Sequence, residues 1–121
     1  LVALRMKGET VDELLGLADA WYARGEARLP RAPGPVLPIV IGSYNGARRQ
    51  PNLLPLFSLL LSKLGLQVLV HGVTAASGRT TSAEIFRALD VPAQESLPVT
   101  ADALVTDGLA FVPLSVLSPT L

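Results

Sequence analysis

The sequence predicts an α/β protein: a small N-terminal helical unit followed by a domain built on a βαβ-containing mixed or parallel sheet. Three observations carry this reading. Residues 38–73, PIVIGSYNGARRQPNLLPLFSLLLSKLGLQVLVHGV, pass from a short apolar strand through a glycine-bearing loop into a leucine-rich helix and on to a second strand. Upstream, Val11, Leu14, Leu15, Ala18 and Trp21 or Tyr22 recur at helical spacing. Between these two regions Pro30, Pro33, Pro35 and Pro38 forbid a regular helix and mark a linker. The organisation expected is residues 1–27 as part of a helical domain, 28–37 as linker, and 38–121 as the first part of a larger α/β domain.

The N-terminal elements follow from local signals. Leu1 to Lys7 reads as the last turns of a helix, with Lys7 at the negative end of the dipole and Gly8 as its stop. Thr10 opens the next helix, because Thr10 and Glu13 have capping-box spacing. The chain opens in an apolar run without an initiator methionine and stops after an apolar strand, so it reads as a piece of a longer protein.

In the α/β part, Ile39-Val40-Ile41 is the first strand and residues 42–51 are the loop after it. The helix is expected over residues 53–64, buried almost all round, with Gly65 as its cap and a strand at Val68-Leu69-Val70. Strand, helix, strand makes a crossover whose two strands are parallel, and such sheets bind ligands beyond the carboxyl ends of the strands. Those ends are the Gly42 loop and the His71-Gly72 loop. Residues 74–82, TAASGRTTS, form a small polar loop into a helix with Ile85, Phe86 and Leu89 inward and Ser82 as its natural N-cap. A short helix from Ala101 to Asp107, closed by Gly108, and a strand from Leu109 to Leu117 complete the chain.

Composition narrows the chemistry. At 121 residues, half of them hydrophobic, the chain can bury one modest core. Without cysteine there is neither a disulfide framework nor a thiolate metal site, and one histidine cannot build a histidine cluster. No apolar run reaches the ~20 residues that span a bilayer, and the N-terminus has no signal-peptide layout. A cytoplasmic protein without a membrane partner is expected.

The net charge is zero, but the charges are sorted. No acidic residue lies between Glu26 and Glu84, while Arg28, Arg31, Arg48, Arg49, Lys63 and Arg79 all do. This basic interval contains the loop between strand and helix, the place where α/β proteins hold phosphate on the donors of a helix N-terminus. Gly42, Ser43, Asn45, Gly46, Asn52, His71, Gly72 and Ser82 are the candidate phosphate or ligand residues. Arg48, Arg49 and Arg79 are the candidate nucleic-acid contacts, since guanidinium groups suit phosphate oxygens. His71 lacks a second residue that would make it a catalytic base, so no catalytic residue and no metal ligand is assigned.

Collinear along almost the whole chain, LRMKGET before a helix, the glycine-bearing turn with Asn52 at the helix start, His71-Gly72, the Ser-Gly loop and SAEIFRALDV resemble anthranilate phosphoribosyltransferase and its relatives in glycosyltransferase family 3. The resemblance implies a helical domain through which the protein forms a homodimer, an α/β domain, and binding of phosphoribosyl pyrophosphate with magnesium at the rim described above. The departures are concentrated there. Where the enzymes carry GTGGDG, this chain has Gly42-Ser43-Tyr44-Asn45-Gly46-Ala47. Their Ile-Ser-Thr after the Asn is Leu53-Leu54-Pro55 here, and their Lys-His-Gly-Asn is Val70-His71-Gly72-Val73. Glu84 stands for their Asp, and their acidic magnesium pair would lie beyond Leu121.

The variant strings SYNGARRQPNLLPL, LVHGV and SAEIF are similar to a non-biosynthetic, DNA-binding branch of the family, the YbiB branch. That similarity implies loss of efficient transfer chemistry and non-specific binding of DNA or another nucleic acid through phosphate contacts, without a cofactor. The alternative is a phosphoribosyltransferase that uses phosphoribosyl pyrophosphate and magnesium with an unknown acceptor.

Overall fold

A computed structural model describes residues 6–23, 37–43 and 50–119. The proline-bearing linker expected at residues 28–37 lies largely outside the described residues, as do Asn45, Gly46, Arg48 and Arg49.

Helix α1 spans Val11–Ala23. Its start is the expected capping box: Glu13 N–H donates to Thr10 Oγ1 at 3.3 Å, and Thr10 N–H donates to Glu13 Oε2 at 3.1 Å. Lys7 Nζ adds a 2.6 Å contact to Glu13 Oε1, and these partners hold the Glu13 carboxyl below its ordinary value, Lys7 contributing most. Gly8 takes φ +88°, the left-handed geometry of a helix stop. No residue of α1 is buried, so its apolar side chains line an open face.

The sheet has the order β1-β2-β3, with β1 at Ile39–Gly42, β2 at Val68–Gly72 and β3 at Leu109–Pro113. Both pairings are parallel: Ile41 lies opposite Val70, and Val70 opposite Phe111. The crossover helix α2, Leu54–Lys63, joins β1 to β2 as expected. Two helices, α3 at Ser82–Ala88 and α4 at Leu97–Thr106, lie between β2 and β3, and a single turn, α5 at Leu114–Leu117, follows β3.

Strand alternation divides the core into two layers. Val68, Val70, Leu109 and Phe111 face one way, against Ala83 and Phe86 of α3 and Leu54, Leu59 and Leu61 of α2. The rings of Phe86 and Phe111 stand 5.7 Å apart at 42°. Leu69, Ala110 and Val112 face the other way, against Leu97, Ala103 and Leu104 of α4 and Val116 and Leu117 of α5. Among the described residues strand β1 is paired only with β2, and Val40 on it is 60% exposed.

Several expectations need correction. Helix α2 is not buried almost all round: only Pro55 and Ser58 are fully enclosed, while Leu53, Leu56, Phe57 and Leu60 are each more than half exposed. The last helix before β3 begins at Leu97 rather than Ala101, because Ser96 caps it through Val99 N–H. Strand β3 ends at Pro113 rather than Leu117, and the chain turns into α5 there. His71 and Gly72 are the last two residues of β2, not a loop. Among the described residues no helix is long and apolar enough to cross a membrane.

Candidate functional site

Because α2 runs back along the sheet, its first residues stand at the carboxyl ends of the strands and Lys63 at the opposite end. Asn52, just ahead of α2, therefore meets the end of β1 and the start of α3. Asn52 Nδ2 donates to Ser82 Oγ at 3.0 Å, and Ser43 Oγ donates to the same oxygen at 3.3 Å. Ser82 is fully buried. Three of the candidate residues are thus gathered into one polar cluster, drawn from segments far apart in the chain.

Close backbone approach holds the cluster together. Ser43 N–H donates to the His71 carbonyl at 2.7 Å, which extends the β1–β2 pairing by one residue. A Cβ at Gly72 would lie 2.4 Å from Ser43 Cβ and 2.7 Å from its Oγ. Such contacts do not occur between real atoms, so Gly72 is required for its lack of a side chain.

His71 does not join this cluster. Alternation along β2 sends its imidazole to the face opposite Gly72, over Gly42, where an added Cβ would meet His71 Cε1 and Nε2 at 3.8 Å. Its Nδ1 is buried and has no hydrogen-bond partner among the described residues. The two glycine-bearing segments do converge on one rim, but their side chains occupy two faces of it.

The helix start offers less to an anion than its position suggests. Leu53 N–H is taken by Pro51 O at 3.1 Å, Leu54 N–H by Asn52 Oδ1 at 3.3 Å, and Pro55 has none to give. Ser82 is not the N-cap of α3 either. Thr81 is: Glu84 N–H donates to Thr81 Oγ1 at 3.2 Å, and Thr81 N–H donates to Glu84 Oε2 at 2.7 Å. The bond from Thr81 N–H, then that from its hydroxyl, holds the Glu84 carboxyl below its ordinary value. Thr81-x-x-Glu84 repeats the spacing of Thr10-x-x-Glu13, so the signal was present in the sequence. Ser82 is one residue too late for that box and turns its hydroxyl into the cluster.

Thr81 Oγ1 also lies 3.2 Å from the Thr74 carbonyl, pinning the loop after β2. That loop and the start of α5 border a cavity of about 290 Å³, lined by Gly72, Val73, Thr74, Ala75, Pro113, Leu114 and Ser115. Sequence reasoning missed its β3 side because Pro113 to Ser115 was read as strand. Arg79 is exposed on the loop ahead of α3, on the same rim, whereas Lys63 is not on it. Among the described residues no group of three or more His, Cys, Asp or Glu side chains could hold a metal ion.

No family model matches the chain. It is 46% identical over 91 residues to the uncharacterized protein YbiB of Escherichia coli K12, an alignment covering 75% of this chain and 28% of that protein. It is 30% identical over 112 residues to the anthranilate phosphoribosyltransferase of Solibacter usitatus, covering 93% of this chain and 33% of the enzyme. Against the enzyme of Rhodococcus opacus it is 39% identical over 90 residues, covering 74% and 24%. The chain spans a third or less of the length of these relatives.

Proposed function

This chain belongs to the anthranilate phosphoribosyltransferase-like family, with a YbiB-like branch as its kin, and we propose that it binds nucleic acid through phosphate contacts and has lost efficient phosphoribosyl transfer. The observation that carries this reading is the acid-free interval from Glu26 to Glu84, which contains the strand-end loop with Arg48 and Arg49 and also Arg79. A run of positive charge without acidic residues favours a polyanion, and contacts of this type position the ligand without reading bases.

The state of the rim supports the loss of transfer chemistry. Transfer from a pyrophosphate ester depends on donors aimed at the leaving group and on a metal to neutralise it. Here the hydroxyls of Ser43 and Ser82 face each other, the Leu53 and Leu54 N–H groups are occupied from within, and Leu53 and Leu54 stand where the enzymes have Ile and Ser. The described residues do not suit magnesium, because the nearby carboxylate, Glu84, is engaged by Thr81. A second reading, a phosphoribosyltransferase with an unknown acceptor, draws on the retained Asn52–Ser82 bond and the close approach of Gly72 to Ser43.

The test is a titration of the full chain with fluorescent DNA over a range of salt, with phosphoribosyl pyrophosphate and magnesium as competitors in parallel. Salt-steep, sequence-indifferent binding that the competitor leaves unchanged is expected. Absent DNA binding together with saturable binding of phosphoribosyl pyrophosphate would overturn the reading in favour of the second. In a complete protein we also expect the open apolar face of α1 to pair with a second copy.

A further inference from the structure

We infer that the cavity between the ends of β2 and β3 seats one unstacked base of a single strand, with the sugar and phosphate of that nucleotide at the adjoining rim. The inference rests on the nucleic-acid reading and adds to it a preference for unpaired strands.

Four features of the cavity argue for a base. None of the seven described residues that line it is charged, so this lining suits a neutral planar group better than a phosphate. Val73, Ala75, Pro113 and Leu114 supply apolar surface, while Thr74 and Ser115 bring hydroxyls that can meet ring nitrogens and exocyclic groups. At about 290 Å³ it is at the small end for ligand sites, adequate for one ring system rather than a whole nucleotide. One wall is fixed before binding, because Thr81 Oγ1 holds the Thr74 carbonyl at 3.2 Å.

Its position supplies the link to the phosphates. Gly72 lines the cavity and also lies against Ser43, so the apolar seat and the polar cluster share a wall at the end of β2. A base entering the seat leaves its sugar and phosphate at the rim, on the side where Gly72 meets Ser43. In a duplex the base is stacked and paired, and its removal opposes binding. In a single strand that opposition is small, and apolar contact with either face of the ring is indifferent to sequence.

The experiment compares two fluorescent strands of equal length and charge, a thymidine oligonucleotide and its abasic counterpart, titrated with the full chain at fixed salt. The intact strand should bind about tenfold more tightly than the abasic one. Ala75→Leu, which fills the cavity from an exposed position without altering charge, should lower the affinity for the intact strand to that for the abasic strand, and Ser115→Leu should do so independently. Equal, salt-steep binding of the two strands would overturn the base seat and leave phosphate binding standing. Binding of neither strand would overturn both.

Discussion

Gly72→Ala probes the closest approach in the candidate site. The new Cβ would sit 2.4 Å from Ser43 Cβ, 2.7 Å from Ser43 Oγ and 3.6 Å from Ser43 Cα. Rotation of Ser43 moves its Oγ but not its Cβ, so relief requires the end of β1 to move away from β2. Overpacking of this kind costs about 1–3 kcal/mol. Against it stands a gain of about 0.4–1 kcal/mol, because alanine restricts the unfolded chain more than glycine does. The net expectation is a destabilisation of roughly 0.5–2 kcal/mol, read by urea unfolding from the change in midpoint at constant slope. The double variant Gly72→Ala/Ser43→Gly removes the colliding atoms, so the two substitutions should couple by about 1–2 kcal/mol in the favourable direction. A single variant as stable as the parent, or a double variant whose effects simply add, would refute the reasoning.

Three further outcomes are expected. Arg48→Ala/Arg49→Ala should lower DNA affinity and flatten the dependence of log affinity on log salt by about one to two; an unchanged slope in the titration would remove these residues from the interface. Phe86→Ala, at a fully buried position against Phe111, should cost about 3–5 kcal/mol in urea unfolding; a loss under about 1 kcal/mol would mean that α3 does not pack on the sheet as described. Glu84 has its carboxyl held low in the folded state, so the folded chain binds fewer protons there than the unfolded chain. Its contribution is therefore complete above the ordinary carboxylate value of about 4.3 and is lost as pH falls through the lower folded value. Protection of the Thr81 amide, its exchange rate relative to the intrinsic rate at each pH, should fall over that acid range and lose this pH dependence in Glu84→Gln.

Elements specified by local chemistry were legible in the sequence, whereas arrangements specified by neighbours were not. The Thr10–Glu13 box, the stop at Gly8 and the parallel crossover each follow from a few adjacent residues, and the structure shows all three. Gly65 takes φ +83° beyond α2, as its reading as a cap requires. Leucines all round α2 say that the helix seeks apolar partners, but not which partners are present. One side packs on the sheet, and Leu56, Phe57 and Leu60 remain open. The apolar run after Gly108 allowed strand or helix throughout, and the change of state at Pro113 carries no periodic signal. At the site, the sequence located the rim but not its two faces. His71 and Gly72 are adjacent in the chain, and alternation alone separates the imidazole from the cluster around Ser82.

That separation bears on what the rim can hold. A pyrophosphate clamp needs several donors fixed at short range and aimed outward, because small errors of position weaken such contacts sharply. In this chain Asn52 and Ser43 both donate to Ser82, Asn52 Oδ1 accepts the Leu54 N–H, and Pro55 removes one donor from the helix start. The fixed polar groups thus serve to hold β1, α2 and α3 together. Phosphate contacts of the proposed kind would rest on the cationic residues of the acid-free interval, which attract phosphate through charge rather than through exact placement. A ligand with many phosphates gains from each such contact in turn, whereas one with a single pyrophosphate gains little from any of them. On the proposed reading, affinity for DNA should therefore grow with oligonucleotide length until added phosphates meet no further cations.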